Sequence, residues 1–415
     1  VVSSGGVVET LPGEEQGGEV AALTLAQHPE AADILVVGPG GLSAAMAYRR
    51  LPQVARVTWL HPDPEYPPAL YKVLPERFHA AWNDIEMPDA EVRAWLASGG
   101  AAYDLIVLHL PGATTLVLNR YFTEEFFELV RGSLADGGIA AVRLAGAANY
   151  MGGELANLGA SVATTFTGVF GEAALKPGEE TWLLGGAEAR LSEAPAELRD
   201  RFASVPGAAR VFPPAAVPAL YPPDRIAFQR ERYNQALAAT GPELLHNTDS
   251  HPRALFFTLL FALRQMGLER LTEHGAVLLP TVGWWVVLAA VLVFALLRAV
   301  YLWETPRDPR GGGLFDAAFL VFSMGLVAMA LSIVLMFVYQ VRNGSLYLHV
   351  GLMSALFMAG SFAGGAFGER LARWLRGEPP WLLPGLLAVN LAVVAVIAVL
   401  AHRDIGALLA LPFAL

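Results

Sequence analysis

The stretch that decides the fold is Asp33-Ile34-Leu35-Val36-Val37-Gly38-Pro39-Gly40-Gly41. A short apolar run that ends in glycines predicts a buried strand followed by a tight turn. Residues 42–50 are rich in alanine and predict a helix directly behind that turn. Glycines let the backbone approach a nucleotide, and the helix N-terminus favours an anion. Gly38, Gly40 and Gly41 are therefore candidate cofactor-binding residues, although a purely structural turn explains them equally well.

Further strand patterns follow at residues 56–60, 103–108 and 138–142, the last behind an expected turn at Asp136-Gly137-Gly138. A helix is predicted between them at residues 123–134. Strands that alternate with helices indicate an α/β fold with a doubly wound, Rossmann-like parallel sheet. Such a sheet places its ligand crevice at the carboxyl ends of the strands.

Composition limits the function. Only 16% of the 415 residues are charged and 54% are hydrophobic, whereas soluble domains carry about 25% charged residues. The chain has no cysteine, which excludes disulfides, thiolate metal sites and cysteine nucleophiles. A net charge of −10 argues against a nucleic-acid partner, because such a surface must be basic.

The apolar excess lies in the last third of the chain. Residues 277–415 hold only eight Arg and six Asp or Glu, so the acidic excess belongs to residues 1–276. Four apolar segments in this tail are long enough to cross a bilayer, which takes about 20 helical residues. They lie at about 279–303, 314–341, 347–368 and 381–401. A large buried helical bundle is the alternative.

These patterns predict four regions. They are an N-terminal β element and helix at 1–30, the sheet domain at 31–190, a Pro-rich spacer with pre-membrane helices at 191–276, and an α-helical transmembrane bundle at 277–415. The Pro-rich residues 211–224 are expected to be extended. Arginines number about the same on the two sides of the predicted spans, so the side of the membrane that holds the head stays open.

One segment before the first span carries metal-capable side chains, His246, Asp249 and His251. Its position just before Pro252 and an apolar run favours a helix-capping turn instead, with Asp249 or Ser250 as the N-cap. We therefore expect no metal site in this protein.

A resemblance adds to this reading. Residues 103–127 read YDLIVLHLPGATTLVLNRYFTEEFF, and further matches lie at residues 27–29, 149–155, 247–252 and 339–347. Together they resemble the membrane-bound branch of the spermidine synthase (polyamine aminopropyltransferase) family. The resemblance implies a methyltransferase-type Rossmann domain that takes decarboxylated S-adenosylmethionine. In that family, this sulfonium cation gives its aminopropyl group to a diamine such as putrescine.

This chemistry needs carboxylates, because two cations must be held and an amine must lose a proton before it attacks. The resemblance places four such acids at positions that hold Trp59, His61, His109 and Gly112 in this sequence. His109 stands in the slot of the family's acidic base. The pattern therefore predicts a degenerate active site.

Two nearby acids, Asp63 and Asp84, are candidate substitutes for the cofactor ligands, and solvated loop acids are the alternative explanation for both. Two functions follow. The first is a catalytically degenerate structural or docking subunit of a membrane complex, integral to a bacterial inner membrane, with the lipid bilayer and other membrane-protein subunits as partners. The second is an active aminopropyltransferase that uses decarboxylated S-adenosylmethionine.

Overall fold

The computed structural model describes residues 2–4, 7–9, 14–73, 76, 79–100, 102–186, 189–267 and 284–304, together with isolated positions beyond 304. The chain divides into two compact units, Val1–Gly283 and Trp284–Leu415. Each unit is described by itself.

The first unit is built on a mixed six-stranded sheet, and a separate antiparallel pair precedes it. The strands are β1 Val2–Ser4, β2 Val7–Glu9, β3 Asp33–Val37, β4 Arg56–Leu60, β5 Tyr103–Leu108, β6 Leu134–Ala145, β7 Ala173–Lys176 and β8 Glu180–Gly185. The large sheet has the order β4-β3-β5-β6-β8-β7. Strands β3 to β6 pair in parallel, whereas β8 runs antiparallel to both β6 and β7.

The strand order confirms the predicted Rossmann-like, methyltransferase-type sheet. The chain moves outward from β3 to β4 and then returns to the other side of β3 with β5, so the order reverses between β3 and β5. The antiparallel β8 is inserted between β6 and β7. A parallel bridge from Thr58 to Glu86 extends the sheet beyond β4.

The helices of the first unit are α1 Glu14–Leu25, α2 Leu42–Arg49, α3 Tyr66–Val73, α4 His79–Asn83, α5 Val92–Ala97, α6 Leu116–Asn119, α7 Glu124–Gly132, α8 Gly153–Phe170, α9 Pro195–Ala203, α10 Pro223–Thr240, α11 Pro242–Leu245 and α12 Arg253–Gln265. The second unit contains α13 Trp284–Glu304. Helix α1 packs against α2, and α8 packs against α7, α10 and α12. The central strands β3 and β5 are buried almost throughout, which explains their continuous apolar sequences.

Strand β6 corrects one prediction. Asp136-Gly137-Gly138 was expected to be a turn before the strand, but it lies inside β6. The register between β5 and β6 shifts at this point, and Gly137 adopts a φ of +75°. Glycine takes this conformation at low cost, so the strand continues through an irregularity that resembles a turn in sequence.

The Pro-rich segment corrects a second prediction, because it is not an extended spacer. Pro214–Leu220 forms a 3-10 helix in which Val217 is buried. Tyr221 is also fully buried, and its hydroxyl donates to the carbonyl oxygen of Leu23 on α1 at 3.1 Å. The segment therefore packs onto the head.

The second unit is described mainly through α13, which overlaps the first predicted span and has several side chains outside the described set. Taken over the described residues, no helix is long and apolar enough to cross a bilayer. Apart from isolated positions, the other three predicted spans lie outside the described residues. The transmembrane bundle therefore stays a prediction.

The start of α12 corrects the expected cap. Asn247 is fully buried; its side-chain oxygen accepts from the Ala254 amide at 3.1 Å, and its side-chain nitrogen donates to the Phe122 carbonyl at 2.8 Å. Asn119 accepts from the Leu255 amide at 3.0 Å. These two asparagines thus satisfy two of the first-turn amides of the helix, and no such bond to Asp249 or Ser250 is present among the described residues.

Replacing Asn247 should therefore destabilise the protein much more than replacing Ser250, which is exposed and whose described side-chain hydrogen bonds stay within its own turn. For Asn247→Ala we expect the free energy of unfolding to fall by about 2 kcal/mol, because a buried amide and a buried carbonyl lose their partners. For Ser250→Ala we expect a change below about 0.5 kcal/mol. Chemical denaturation of the detergent-solubilised full chain, followed by circular dichroism, measures both; equal losses would contradict the capping role.

Candidate functional site

The ligand crevice of this type of sheet lies where the strand order reverses, at the carboxyl ends of β3 and β5. Three chain segments meet there, since each follows a neighbouring parallel strand. They are the glycine turn at 38–41 after β3, residues 61–63 after β4, and residues 109–112 after β5.

The glycine turn is packed against the end of β5. Gly38 has a φ of +114°, and its amide donates to the Leu60 carbonyl at 2.9 Å. A Cβ atom placed on Gly38 would lie only 2.3 Å from the carbonyl oxygen of His109. Gly40 and Gly41 are buried in the same turn. This close backbone contact gives Gly38 a structural reason to be glycine that needs no ligand.

Trp59 covers the turn from the side of β4. Its side chain is completely buried, and the indole Nε1 donates to the Gly38 carbonyl oxygen at 2.9 Å. A Cβ atom on Gly41 would lie 3.3 Å from the same nitrogen. Trp59 is the position that the resemblance assigns to a ribose-binding acid. A carboxylate there would accept hydrogen bonds from ribose hydroxyls, whereas the indole donates its only hydrogen bond to the protein.

Further aromatic rings surround Trp59. His61 and Trp82 meet it edge to face at ring-centroid distances of 6.0 and 5.9 Å. His61 also stacks on Tyr66 at 4.2 Å. Burial lowers the pKa of His61, although the backbone and charge of Asp63 oppose this shift. The second acid slot therefore holds a neutral, stacked imidazole at pH 7.

His109 is buried at the end of β5, and its ring centroid lies 5.4 Å from that of Trp182. Its Nδ1 has no hydrogen-bond partner among the described residues. Burial, reinforced by the positive charge of Arg143, lowers the pKa of His109 to about 4. The imidazole is consequently neutral at physiological pH and supplies no negative charge to hold a cation.

Glu180, whose charge acts on His109, is itself paired with Arg143. Glu180 of β8 accepts from the Arg143 guanidinium of β6 at 2.5 Å. Burial works to raise the pKa of Glu180, but the hydrogen bond and charge of Arg143 outweigh it and hold the pKa below its usual range. Sequence analysis missed this pair. Its one signal is an arginine inside the apolar strand pattern around residue 143.

The two candidate substitute acids are exposed. The Asp63 Oδ1 atom accepts from the Glu65 amide at 3.1 Å, as in a local turn. Asp84 directly follows α4. Neither carboxylate has a described contact with Gly38, Trp59 or His109. Glu91, also near this end of the sheet, caps α5 through the Ala94 amide.

The fourth acid slot, Gly112, is open. It is half-buried, and a Cβ atom placed there would meet no atom within 4 Å. Of the four positions, one thus holds a hydrogen-bond donor, two hold neutral imidazoles, and the fourth, a glycine, has no side chain. Among the described residues, no group of His, Asp and Glu could hold a metal ion either.

Comparisons with solved structures give likenesses at low identity. Human methyltransferase-like protein 13 in complex with SAH is 17% identical, with a TM-score of 0.34 over 45% of this chain and 88% of that one. A spermidine synthase in complex with the transition-state analogue AdoDATO is 14% identical, with a TM-score of 0.44 over 55% and 79%. The spermidine synthase of Thermotoga maritima is 14% identical, with a TM-score of 0.42 over 55% and 78%.

The sequence matches no protein-family model and no curated protein. Because the identities and TM-scores of the structural neighbours are low, the fold assignment rests on the strand order of the sheet itself. The chemistry of the crevice likewise rests on the side chains of this chain.

The low pKa of His109 gives a pH-dependent stability with a defined sign. The folded protein disfavours the protonated imidazole, so the unfolded chain binds the extra proton between the ordinary pKa of 6.5 and the folded value of about 4. Stability from this group is complete above pH 6.5 and is lost as the pH falls toward 4. Between pH 7 and pH 4 the loss amounts to about 3 kcal/mol.

Replacing His109 by Phe keeps a ring and removes the titration. We therefore expect His109→Phe to lose less stability than the wild type over this pH range, whereas Ser250→Ala, an exposed substitution that removes no titratable group, keeps the wild-type slope. Denaturation of each protein at several pH values measures the difference. Parallel curves for the wild type and His109→Phe would show that His109 is not buried in its neutral form.

Proposed function

We propose that this chain is a spermidine-synthase-like membrane protein with a degenerate crevice, and that it acts as a structural or docking subunit of a membrane complex. The observation that supports a degenerate crevice is the hydrogen bond from the Trp59 indole to the carbonyl oxygen of Gly38. A ribose-binding acid at this position would have to face the ligand in the crevice. The indole instead closes the glycine turn onto the end of β4.

Electrostatics support the same conclusion. Aminopropyl transfer brings a sulfonium cation and an amine together, and both require negative charge nearby. His61 and His109 are both neutral at pH 7, and the nearby Glu180 is neutralised by Arg143. Decarboxylated S-adenosylmethionine entering the crevice would lose hydration, and the side chains described at positions 59, 61 and 109 offer its positive charge no carboxylate.

The membrane part of the proposal rests on the sequence. Residues 317–340 contain no formal charge, and the tail carries few charges overall. We infer that the lipid bilayer, as in a bacterial inner membrane, surrounds the tail. Gly360, Gly364 and Gly368 recur at four-residue spacing, which allows close packing of helices within this chain or with another membrane subunit.

The alternative is an active aminopropyltransferase that uses decarboxylated S-adenosylmethionine. The observation in its favour is the exposed carboxylate of Asp63, two residues beyond His61 at the carboxyl end of β4. For this function, Asp63 or Asp84 would have to turn toward the crevice and Trp59 would have to leave the glycine turn.

Calorimetry separates the two functions. We expect the detergent-solubilised full chain to give no saturable heat with decarboxylated S-adenosylmethionine or with methylthioadenosine, because Trp59 stands in place of the ribose-binding acid and is bonded to Gly38. Binding of both compounds to the wild type would contradict the degenerate crevice. Loss of that binding in Asp63→Asn or Asp84→Asn would identify the relocated acid and establish the alternative.

The membrane role has its own test. We expect the chain to stay in the membrane pellet after an alkaline carbonate wash, since apolar spans resist extraction that removes peripheral proteins. After mild detergent extraction it should elute with other membrane subunits at a mass above that of one chain. Release by carbonate would contradict the spans, and elution of a single chain would contradict the complex.

A further inference from the structure

A cavity lies away from the crevice, among the helices that follow the sheet. It has a volume of about 210 Å³. Its walls come from α8, the end of α10, α11 and the start of α12, through Asn157, Ala239, Thr240, Leu244, Arg253, Phe256 and Phe257. Pockets for drug-sized ligands measure about 300–1,000 Å³, so this cavity suits a smaller molecule.

The charged residue of the cavity, Arg253, is unusual among the arginines that the structure describes. It is half-buried, and its Nε atom is buried without a hydrogen-bond partner. Arg49, Arg120 and Arg143 also have a buried Nε without a partner among the described residues. Each of them, however, is bonded through another guanidinium nitrogen, Arg49 to backbone carbonyls and the other two to Glu91 or Glu180. No ion pair or side-chain hydrogen bond of Arg253 is present within the described residues. A half-buried cation without a partner is less well compensated than one that is paired.

The other side chains that line the cavity restrict the kind of ligand that it could bind. Leu244, Phe256 and Phe257 contribute apolar side chains to the lining. The Thr240 hydroxyl donates to the Asn157 side-chain oxygen at 3.5 Å, which leaves the Asn157 amide nitrogen as a further donor. The cavity therefore offers hydrogen-bond donors and one positive charge beside an apolar wall.

We propose that this cavity binds a small carboxylate with a compact apolar body. The planar guanidinium can donate two parallel hydrogen bonds to the two carboxylate oxygens through its two terminal Nη atoms. One arginine balances the single charge of a carboxylate, whereas a phosphate carries up to two charges at neutral pH. The aromatic and leucine side chains take up the apolar body. This site is independent of whether the crevice binds a nucleoside.

Benzoate is a suitable probe, and benzamide is its uncharged counterpart. By calorimetry on the full chain in a non-ionic detergent, we expect saturable benzoate binding that is at least about tenfold tighter than benzamide binding. Arg253→Met should weaken benzoate binding by about tenfold or more. Arg253→Lys keeps the positive charge but loses the planar guanidinium, so its affinity should lie between those of the wild type and Arg253→Met. Arg210→Met removes an exposed arginine outside the cavity and should leave the affinity unchanged.

The thermal midpoint of ligand-free Arg253→Met separates lost binding from lost folding. We expect it to equal or exceed that of the wild type, because an unpaired half-buried cation has been removed. The proposal is overturned if the wild type shows no saturable benzoate binding, if benzamide binds equally well, or if Arg253→Met binds benzoate like the wild type. Tighter binding of inorganic phosphate than of benzoate at Arg253 would overturn the carboxylate class.

Discussion

The hydrogen bond from the Trp59 indole to the Gly38 carbonyl is the interaction on which the character of the crevice depends. It joins the end of β4 to the turn after β3, while the same turn presses against the His109 carbonyl at the end of β5. Three strand ends that would surround a nucleoside are thereby held together by protein contacts alone. The rings of His61 and Trp82 then pack around the indole, so the aromatic cluster depends on the same contact.

The histidines of this region are uncharged, and its carboxylate is paired. His109 and His61 are buried and neutral, and Glu180 is paired with Arg143. Burial of aromatic rings contributes to stability in proportion to the apolar area removed from water, whereas buried carboxylates would have to be paired. The crevice thus has the chemistry of a protein core.

Sequence patterns predicted the central sheet well, because β3, β4 and β5 are short apolar runs bounded by turn residues. They failed where local sequence and long-range pairing disagree. The glycines at 137–138 look like a turn but lie within β6, since a register shift accommodates them. The Pro-rich segment looks like a spacer, but Tyr221 anchors it to α1 through a contact nearly two hundred residues away in sequence. The site shows the same division. The residue types at positions 59, 61, 109 and 112 could be read from the sequence, whereas the Arg143–Glu180 pair and the Asn247 cap depend on tertiary contacts.

The most direct test of the closed crevice is the exchange of the Trp59 indole proton with solvent. In the full chain labelled with ¹⁵N-tryptophan, a Trp59→Phe variant assigns the resonance, and the exchange rate is measured with and without methylthioadenosine. A buried indole that is bonded to Gly38 predicts a slowly exchanging proton whose resonance is unchanged by the nucleoside. Rapid exchange, or a shift on addition of methylthioadenosine, would contradict the account, because it would show that the indole leaves the glycine turn and that the crevice admits a cofactor.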